Sequence, residues 1–270
     1  MTQSAVCRQI AGLEDFLKVK LFRRTKRGVL LTDAGLRYAR QVRLRLDDVE
    51  RDTLEMMAKG GAGGTLELGV VPTFAAKWLV PRLGSFQQQY PDIAVHLSSR
   101  TRPFLFSDTA LDAAICAGEA GWPGTESCFL MDESLVAVGS PALVKPHRTL
   151  KAADFDHLPL LQMSTRPYAW RQWFESLGLS VAHDMAGARI ELFSMATEAA
   201  IHGQGLALIP RFLIEDDLTQ GRLVPLTRHE FFSDRRYYLI YPEEKSDSAA
   251  LALFRNWLDT EASSYRSGSQ

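Results

Sequence analysis

Apolar side chains recur at helical spacing near the start of the chain and at strand-like spacing through most of the rest. Val6, Ile10, Leu13 and Leu17 lie four, three and four residues apart, which makes one stripe along a helix. Thr2 stands where an N-cap is expected, its hydroxyl placed to accept from the first turn. Gln3, Ser4, Cys7 and Arg8 share a separate polar face. Further on, Ala39, Val42, Leu46, Val49, Thr53 and Met56 repeat at heptad spacing, predicting a long helix from Thr32 or Asp33 to Ala58. A seam this narrow has no partner within the short N-terminal segment. A second copy of the same helix is the natural one, and packing onto the following domain is the competing reading.

Lys59-Gly60-Gly61-Ala62-Gly63-Gly64 reads as a flexible linker at residues 59–64. Beyond it the pattern alternates short strands with helices. Strands are expected at Leu66–Val71, Ile93–Leu97, Ala113–Cys116, Leu135–Gly139, Leu158–Gln162, Leu206–Ile209 and Tyr237–Tyr241. Helices are expected from Thr73, with an interruption at Pro81, and over Ala169–Leu177, Ser194–His202 and Ser248–Thr260. Gly178 supplies a stop for the second of these, and Leu251, Phe254 and Leu258 a packing face for the last. This alternation predicts an α/β sheet with ligands at the carboxyl ends of its strands.

Charge sharpens the division. The net charge is −1, but residues 1–45 hold eleven Lys/Arg against three Asp/Glu, a net +8 that leaves −9 for the remainder. A basic end on an acidic body suits nucleic-acid binding. Arg23, Arg24, Lys26 and Arg27 crowd one expected hairpin that Gly28 turns, and such a cluster can straddle phosphates. Gln and Arg on the first helix suit purine edges in the major groove. A solvated basic loop and an ordinary surface helix are the plainer readings of each piece alone.

Other chemistry finds little support. Cys7, Cys116 and Cys128 are odd in number and widely spaced, so neither a disulfide framework nor a metal site is expected. HExxH and GxSxG are absent, and Gly203-x-Gly205 lacks the third glycine of a dinucleotide loop. Asp154, Asp156 and His157 are expected at a solvated helix end. No catalytic residue and no cofactor is expected. With no apolar run of spanning length and no secretory leader pattern, the expected location is the cytoplasm, with no membrane partner.

The order helix, basic wing, long helix carries a resemblance. Gln3-Ser4-Ala5-Val6-x-Arg8-Gln9-Ile10-x-x-Leu13-Glu14, then Leu21-Phe22-x-Arg24, then Leu31-Thr32-x-Ala34-Gly35 resemble the LysR-type transcriptional regulators. The body resembles the glycine-cleavage-activator-like branch, through Trp78-Leu79-Val80-Pro81-Arg82-Leu83, Leu111–Ile115, Trp170-Arg171-x-Trp173-Phe174 and Ala199–Pro210. The fold implied is α/β: a winged helix-turn-helix over residues 1–32 and a linker helix over 33–58, followed by a periplasmic-binding-protein-like effector domain over 65–262. Its two lobes would comprise 65–138 with 239–262, and 139–238. Implied partners are promoter DNA, a small-molecule effector, further copies of the chain as dimer or tetramer, and RNA polymerase.

The chain departs from the family pattern twice. Cys7 stands where a small hydroxyl residue is usual, altering one DNA contact. The family also places two helices, about 30 residues with turns, ahead of the recognition helix. Their absence here leads to the expectation of a late-placed start or a truncated product, leaving the Val6 stripe without cover. An effector-binding or oligomerisation protein with little DNA binding of its own is therefore the alternative function.

The implied cleft directs attention to residues at helix starts and strand ends: Thr73 and Phe74, Thr101 and Arg102, Ser164 and Thr165, Phe193 and Ser194. Helix N-termini favour a carboxylate or phosphate, so an anionic effector is expected. Each hydroxyl equally suits a simple cap. Trp170 and Trp173, at helical spacing, are expected in the core.

Overall fold

The computed structural model describes residues 2–25, 28–59, 64–144, 151–155 and 157–268, and divides into two compact units, Met1–Ala62 and Gly63–Gln270. Lys26, Arg27, Asp156 and the linker residues Gly60 to Gly63 lie outside the described residues, as does the side chain of Met56.

In the first unit, helix α1 (Gln3–Leu17) leads to a hairpin of β1 (Phe22–Thr25) and β2 (Gly28–Leu31), and then to the long helix α2 (Asp33–Lys59). Thr2 precedes α1 without capping it, because its hydroxyl meets the Ser4 hydroxyl at 3.2 Å instead. The hairpin pairs Phe22 with Leu31 and Thr25 with Gly28, so Gly28 is already a paired residue of β2. Gly28 still needs its freedom, since φ is +131° there. Ile10 and Leu17 are half-buried, whereas Val6 and Leu13 are exposed and the neighbouring Phe16 is 83% exposed. On α2, Val42, Leu46 and Val49 of the heptad seam are likewise exposed.

What ties this unit together is local. The Glu14 carboxylate accepts from the backbone N–H groups of Leu21 (2.9 Å) and Phe22 (3.0 Å) and from Lys20 Nζ (2.7 Å). One acid thereby fixes the start of the wing against the end of α1. The Thr32 hydroxyl accepts from Gly35 N–H at 3.0 Å, the N-cap of α2, and donates to Lys20 O at 2.7 Å. A Cβ on Gly35 would lie 2.1 Å from Leu21 O, so α2 approaches the wing at glycine distance only. Gly35→Ala is expected to cost more than about 1 kcal/mol. In calorimetry of the whole protein it should lower the transition of the N-terminal unit alone.

In the second unit, β3 (Gly64–Val70) enters α3 (Pro72–Phe74), a π-helical turn over Ala75–Leu79, and α4 (Val80–Gln89). The expected break at Pro81 does not occur. Pro81 lacks the N–H an α-turn needs, and the chain widens just before it, with Val80 N–H reaching Ala75 O, so the helix continues. The remaining elements are β4 (Ile93–Ser99), β5 (Ala113–Gly118), β6 (Thr125–Gly139), β7 (Leu160–Met163), α5 (Ala169–Ser176), β8 (Arg189–Ile190), α6 (Phe193–Ile201), β9 (Leu206–Pro210), α7 (Glu215–Thr219), β10 (Val224–Pro225), β11 (Phe231–Pro242) and α8 (Ala249–Gly268).

The strands form one mixed, nine-stranded sheet in the order β4-β3-β5-β11-β6-β9-β7-β8, with β10 on β6. Pairs β3/β4 and β3/β5 are parallel at one end, as are β7/β9 and β7/β8 at the other. Between them run the long antiparallel strands β6 and β11, which belong to both ends and make the two crossovers of a two-lobed domain. One core gathers Leu66, Leu68, Phe86, Phe254 and Leu258 under α4 and α8. A second gathers Phe155, Trp170, Trp173 and Phe174 around α5, so both tryptophans are core residues.

Candidate functional site

The crossover strands break register twice, between Phe232 and Arg236 and between Tyr237 and Tyr238, and the first break is the wider. Phe232 pairs with Ser134 and Arg236 with Asp132, so Ser233, Asp234 and Arg235 bulge opposite the single residue Glu133. Glu133 is fully buried. Its carboxylate accepts from Arg166 Nε at 2.9 Å and Nη2 at 2.7 Å, from the Ser233 hydroxyl at 3.0 Å and from the Tyr237 hydroxyl at 3.3 Å. A buried, bidentate, fully hydrogen-bonded pair of this kind holds its members in one geometry. Burial pulls the Arg166 pKa down, but its hydrogen bonds and attraction to Glu133 outweigh that and raise it. Burial, with Glu133 beside it, pushes the Tyr237 phenol well up.

Arg166 and Tyr237 form part of the wall of an interlobe cavity of about 330 Å³. Arg100, Arg102 and Arg235 also line it, against one further carboxylate, Glu191. Burial, then repulsion from Arg166, lowers the pKa of Arg235. Neither Arg102 nor Arg235 makes a side-chain hydrogen bond or salt bridge among the described residues. Cys116 also faces the cavity, its thiol pushed up to about 11 by burial and so held neutral. The cavity walls therefore carry four guanidiniums and one carboxylate, with Glu133 buried behind Arg166, an arrangement suited to an anion.

Of the residues expected from the sequence, Thr73, Phe74, Thr101, Arg102, Thr165 and Phe193 all line this cavity. Ser164 is exposed and lies outside the lining. Ser194 contributes through its backbone, donating its N–H to the Thr73 hydroxyl at 3.0 Å. Thr73 thus does not cap its own helix; it caps α6 of the opposite lobe and joins the two lobes across the cleft. Lys77, 3.5 Å from the buried Asp217, makes a second cross-lobe attraction. Sequence reading missed Glu133, Arg166 and Arg235. The available signal was the charged pair Asp132-Glu133 interrupting the apolar run from Phe129 to Val138.

In the first unit, Thr2, Gln3, Ser4, Cys7 and Arg8 are exposed on or beside α1, and Arg23 and Arg24 are exposed on β1. Lys26 and Arg27 lie outside the described residues. Hydrogen bonds from Lys20 and Phe22 hold the Glu14 carboxyl below its usual range. Its contribution to stability is therefore full above the ordinary carboxylate pKa and lost as pH falls through the lowered folded value. Acid titration followed at the Leu21 and Phe22 amides by NMR should show that loss, and Glu14→Gln should abolish the pH dependence. Among the described residues no group of three or more His, Cys, Asp or Glu is gathered as metal ligands. No helix there is long and apolar enough to cross a membrane.

A winged helical unit followed in the chain by a two-lobed domain with a charged cleft defines the class of effector-responsive transcription regulators. The chain belongs to the LysR family of that class. The LysR substrate binding domain matches residues 59–263, and the bacterial regulatory helix-turn-helix protein, lysR family, matches residues 1–36. The glycine cleavage system transcriptional activator of Escherichia coli (strain K12) is 34% identical over 260 residues, covering 96% of this chain and 84% of the relative. The HTH-type transcriptional activator AmpR of Rhodobacter capsulatus is 32% identical over 258 residues, covering 96% and 87%. Among solved structures, the effector domain of the transcriptional regulator AmpR of Pseudomonas aeruginosa superposes with a TM-score of 0.69 at 28% identity. It covers 76% of this chain and 98% of that one. Matches to both halves favour the regulator over the effector-only alternative.

Proposed function

We propose that this regulator senses a small anion in the interlobe cleft, and that the occupied and empty clefts differ in their effect on promoter DNA. The convergence of Arg100, Arg102, Arg166 and Arg235 on one cavity supports this reading. Arg166 is committed to Glu133, so Arg102 and Arg235 are the cations free to meet the ligand, with the Thr101 and Thr165 hydroxyls beside them. Phe74 and Phe193 form apolar wall, and Thr73 with Ser194 is the latch that senses lobe closure. A ligand shifts the lobes only through different affinities for their arrangements.

DNA contact is assigned to Thr2, Gln3, Ser4, Cys7 and Arg8 for bases and to Arg23, Arg24, Lys26 and Arg27 for phosphates. The exposed seam of Val42, Leu46 and Val49 on α2 supports self-association, as dimer or tetramer. The reading assigns the effector lobes to 65–138 with 239–262 and to 139–238. It further places the protein in the cytoplasm, with RNA polymerase as a partner and no catalysis. Fluorescence anisotropy of DNA from upstream of its own gene tests the DNA-binding part. Affinity should fall steeply with salt; salt-independent affinity, or none, would count against it.

A further inference from the structure

We infer that the anion taken by this cleft carries an apolar tail, which lodges in a second, aromatic chamber adjoining the cleft. The inference rests on the anionic-cleft reading and adds the ligand's other half.

A cavity of about 600 Å³ lies beside the cleft, and Pro103 and Trp122 line both. Its wall is a cluster of rings: Phe104 stands edge-on to Phe106 (centroids 5.2 Å apart, 73°) and to Trp122 (5.5 Å, 74°). None of the three rings is fully buried, and Leu105 beside them is 66% exposed. Large apolar side chains left uncovered together in a concavity mark a place where apolar matter binds. The junction is chemically continuous, because the Arg100 guanidinium lines the cleft and sits 5.9 Å from the Phe104 ring centroid. An anionic head at the arginines would therefore have its next carbons directed along the Pro103–Trp122 wall.

Size agrees. The cleft alone is at the small end of the roughly 300–1,000 Å³ typical of ligand sites, and cleft with chamber spans most of that range. Charge adds a restriction. Glu243 and Glu244 line the chamber with exposed carboxylates, neither in a hydrogen bond or salt bridge among the described residues. A second anionic group at the end of the tail would be repelled there, so the chamber favours a monoanion over a dianion of equal length.

Isothermal titration of the full chain with acetate, butanoate, octanoate, octanedioate and octan-1-ol separates the elements of the proposal. Each methylene buried in the chamber is worth about fourfold in affinity, so octanoate should bind at least roughly tenfold more tightly than acetate. Octanedioate should bind more weakly than octanoate. Phe106→Ala, which lines the chamber and not the cleft, should flatten the chain-length series while leaving acetate unchanged. Leu105→Asp, at an exposed position that folding does not depend on, should weaken octanoate alone; Arg235→Ala should weaken every acid. A flat series with acetate still bound, or Phe106→Ala and Leu105→Asp both without effect on octanoate, overturns the tail and leaves the anionic cleft standing. Octanol binding as tightly as octanoate, with Arg235→Ala indifferent, or no acid binding at all, overturns the cleft reading itself and the tail with it.

Discussion

Replacing Glu133 by alanine is expected to destabilise the effector domain by about 3–5 kcal/mol and to lower its melting temperature by roughly 6–20 °C. The carboxylate is wholly buried and holds four donor groups: two on Arg166, and the hydroxyls of Ser233 and Tyr237. Its removal leaves the Arg166 guanidinium largely buried without its counter-charge, and the cost comes chiefly from that unpaired ion. Glu133→Leu combined with Arg166→Met should lose far less than the two single changes added together, because the pair's desolvation penalty vanishes with the pair. Calorimetry of the wild type, the two single variants, their combination and Glu133→Ala checks this, and a loss below about 1 kcal/mol for the alanine variant would show that the network does not hold the domain together. Arg166 would then be a third free cation of the cleft, beside Arg102 and Arg235.

The second large effect is expected on DNA. With Arg23→Ala and Arg24→Ala combined, the slope of log affinity against log salt should flatten by about 2, near one unit for each phosphate left without its cation. Both side chains are exposed on β1, so folding should be little affected. Arg8→Ala should act differently. On the exposed face of α1 it is assigned to base edges, and its loss should relax sequence preference by about 1–3 kcal/mol at one position. Anisotropy titrations over a salt series, on upstream and scrambled DNA, distinguish the two behaviours. A double variant with an unaltered slope would show that the wing does not meet phosphate.

The legible parts of this fold are those set by local sequence. The α1 stripe and the α2 heptad each lie within one element, and the basic hairpin within two strands adjacent in sequence, where local pattern speaks directly. The placement of Thr73, Thr101, Arg102 and Thr165 at the cleft follows from the rule that loops leaving the carboxyl ends of strands line the crevice. Glu133 and Arg235 were hidden because their positions come from a register break between strands nearly a hundred residues apart. Nothing near either residue announces that three positions on β11 must fit against one on β6. The same break explains why only the apolar ends of β6 and β11 read as strands. The charged stretch from Asp132 to Ser134 and the polar bulge from Ser233 to Arg235 obscure the alternation on either side. The role of Thr73 was half legible: a hydroxyl at a helix start suggested a cap, but the helix it caps begins 120 residues later.

A change in how the protein holds its DNA is expected when an anion occupies the cleft arginines. It is tested most directly by the dissociation constant for upstream DNA, measured with chloride and with octanoate as the potassium salt at one constant ionic strength. Holding ionic strength fixed cancels the screening of phosphate contacts and leaves the effect of the cleft. The wild-type constant is predicted to differ about fivefold or more between the two salts, the lower end of ordinary allosteric coupling, and Arg235→Ala to abolish that difference. Equal constants in both salts for the wild-type protein, or an equal shift in Arg235→Ala, would contradict it.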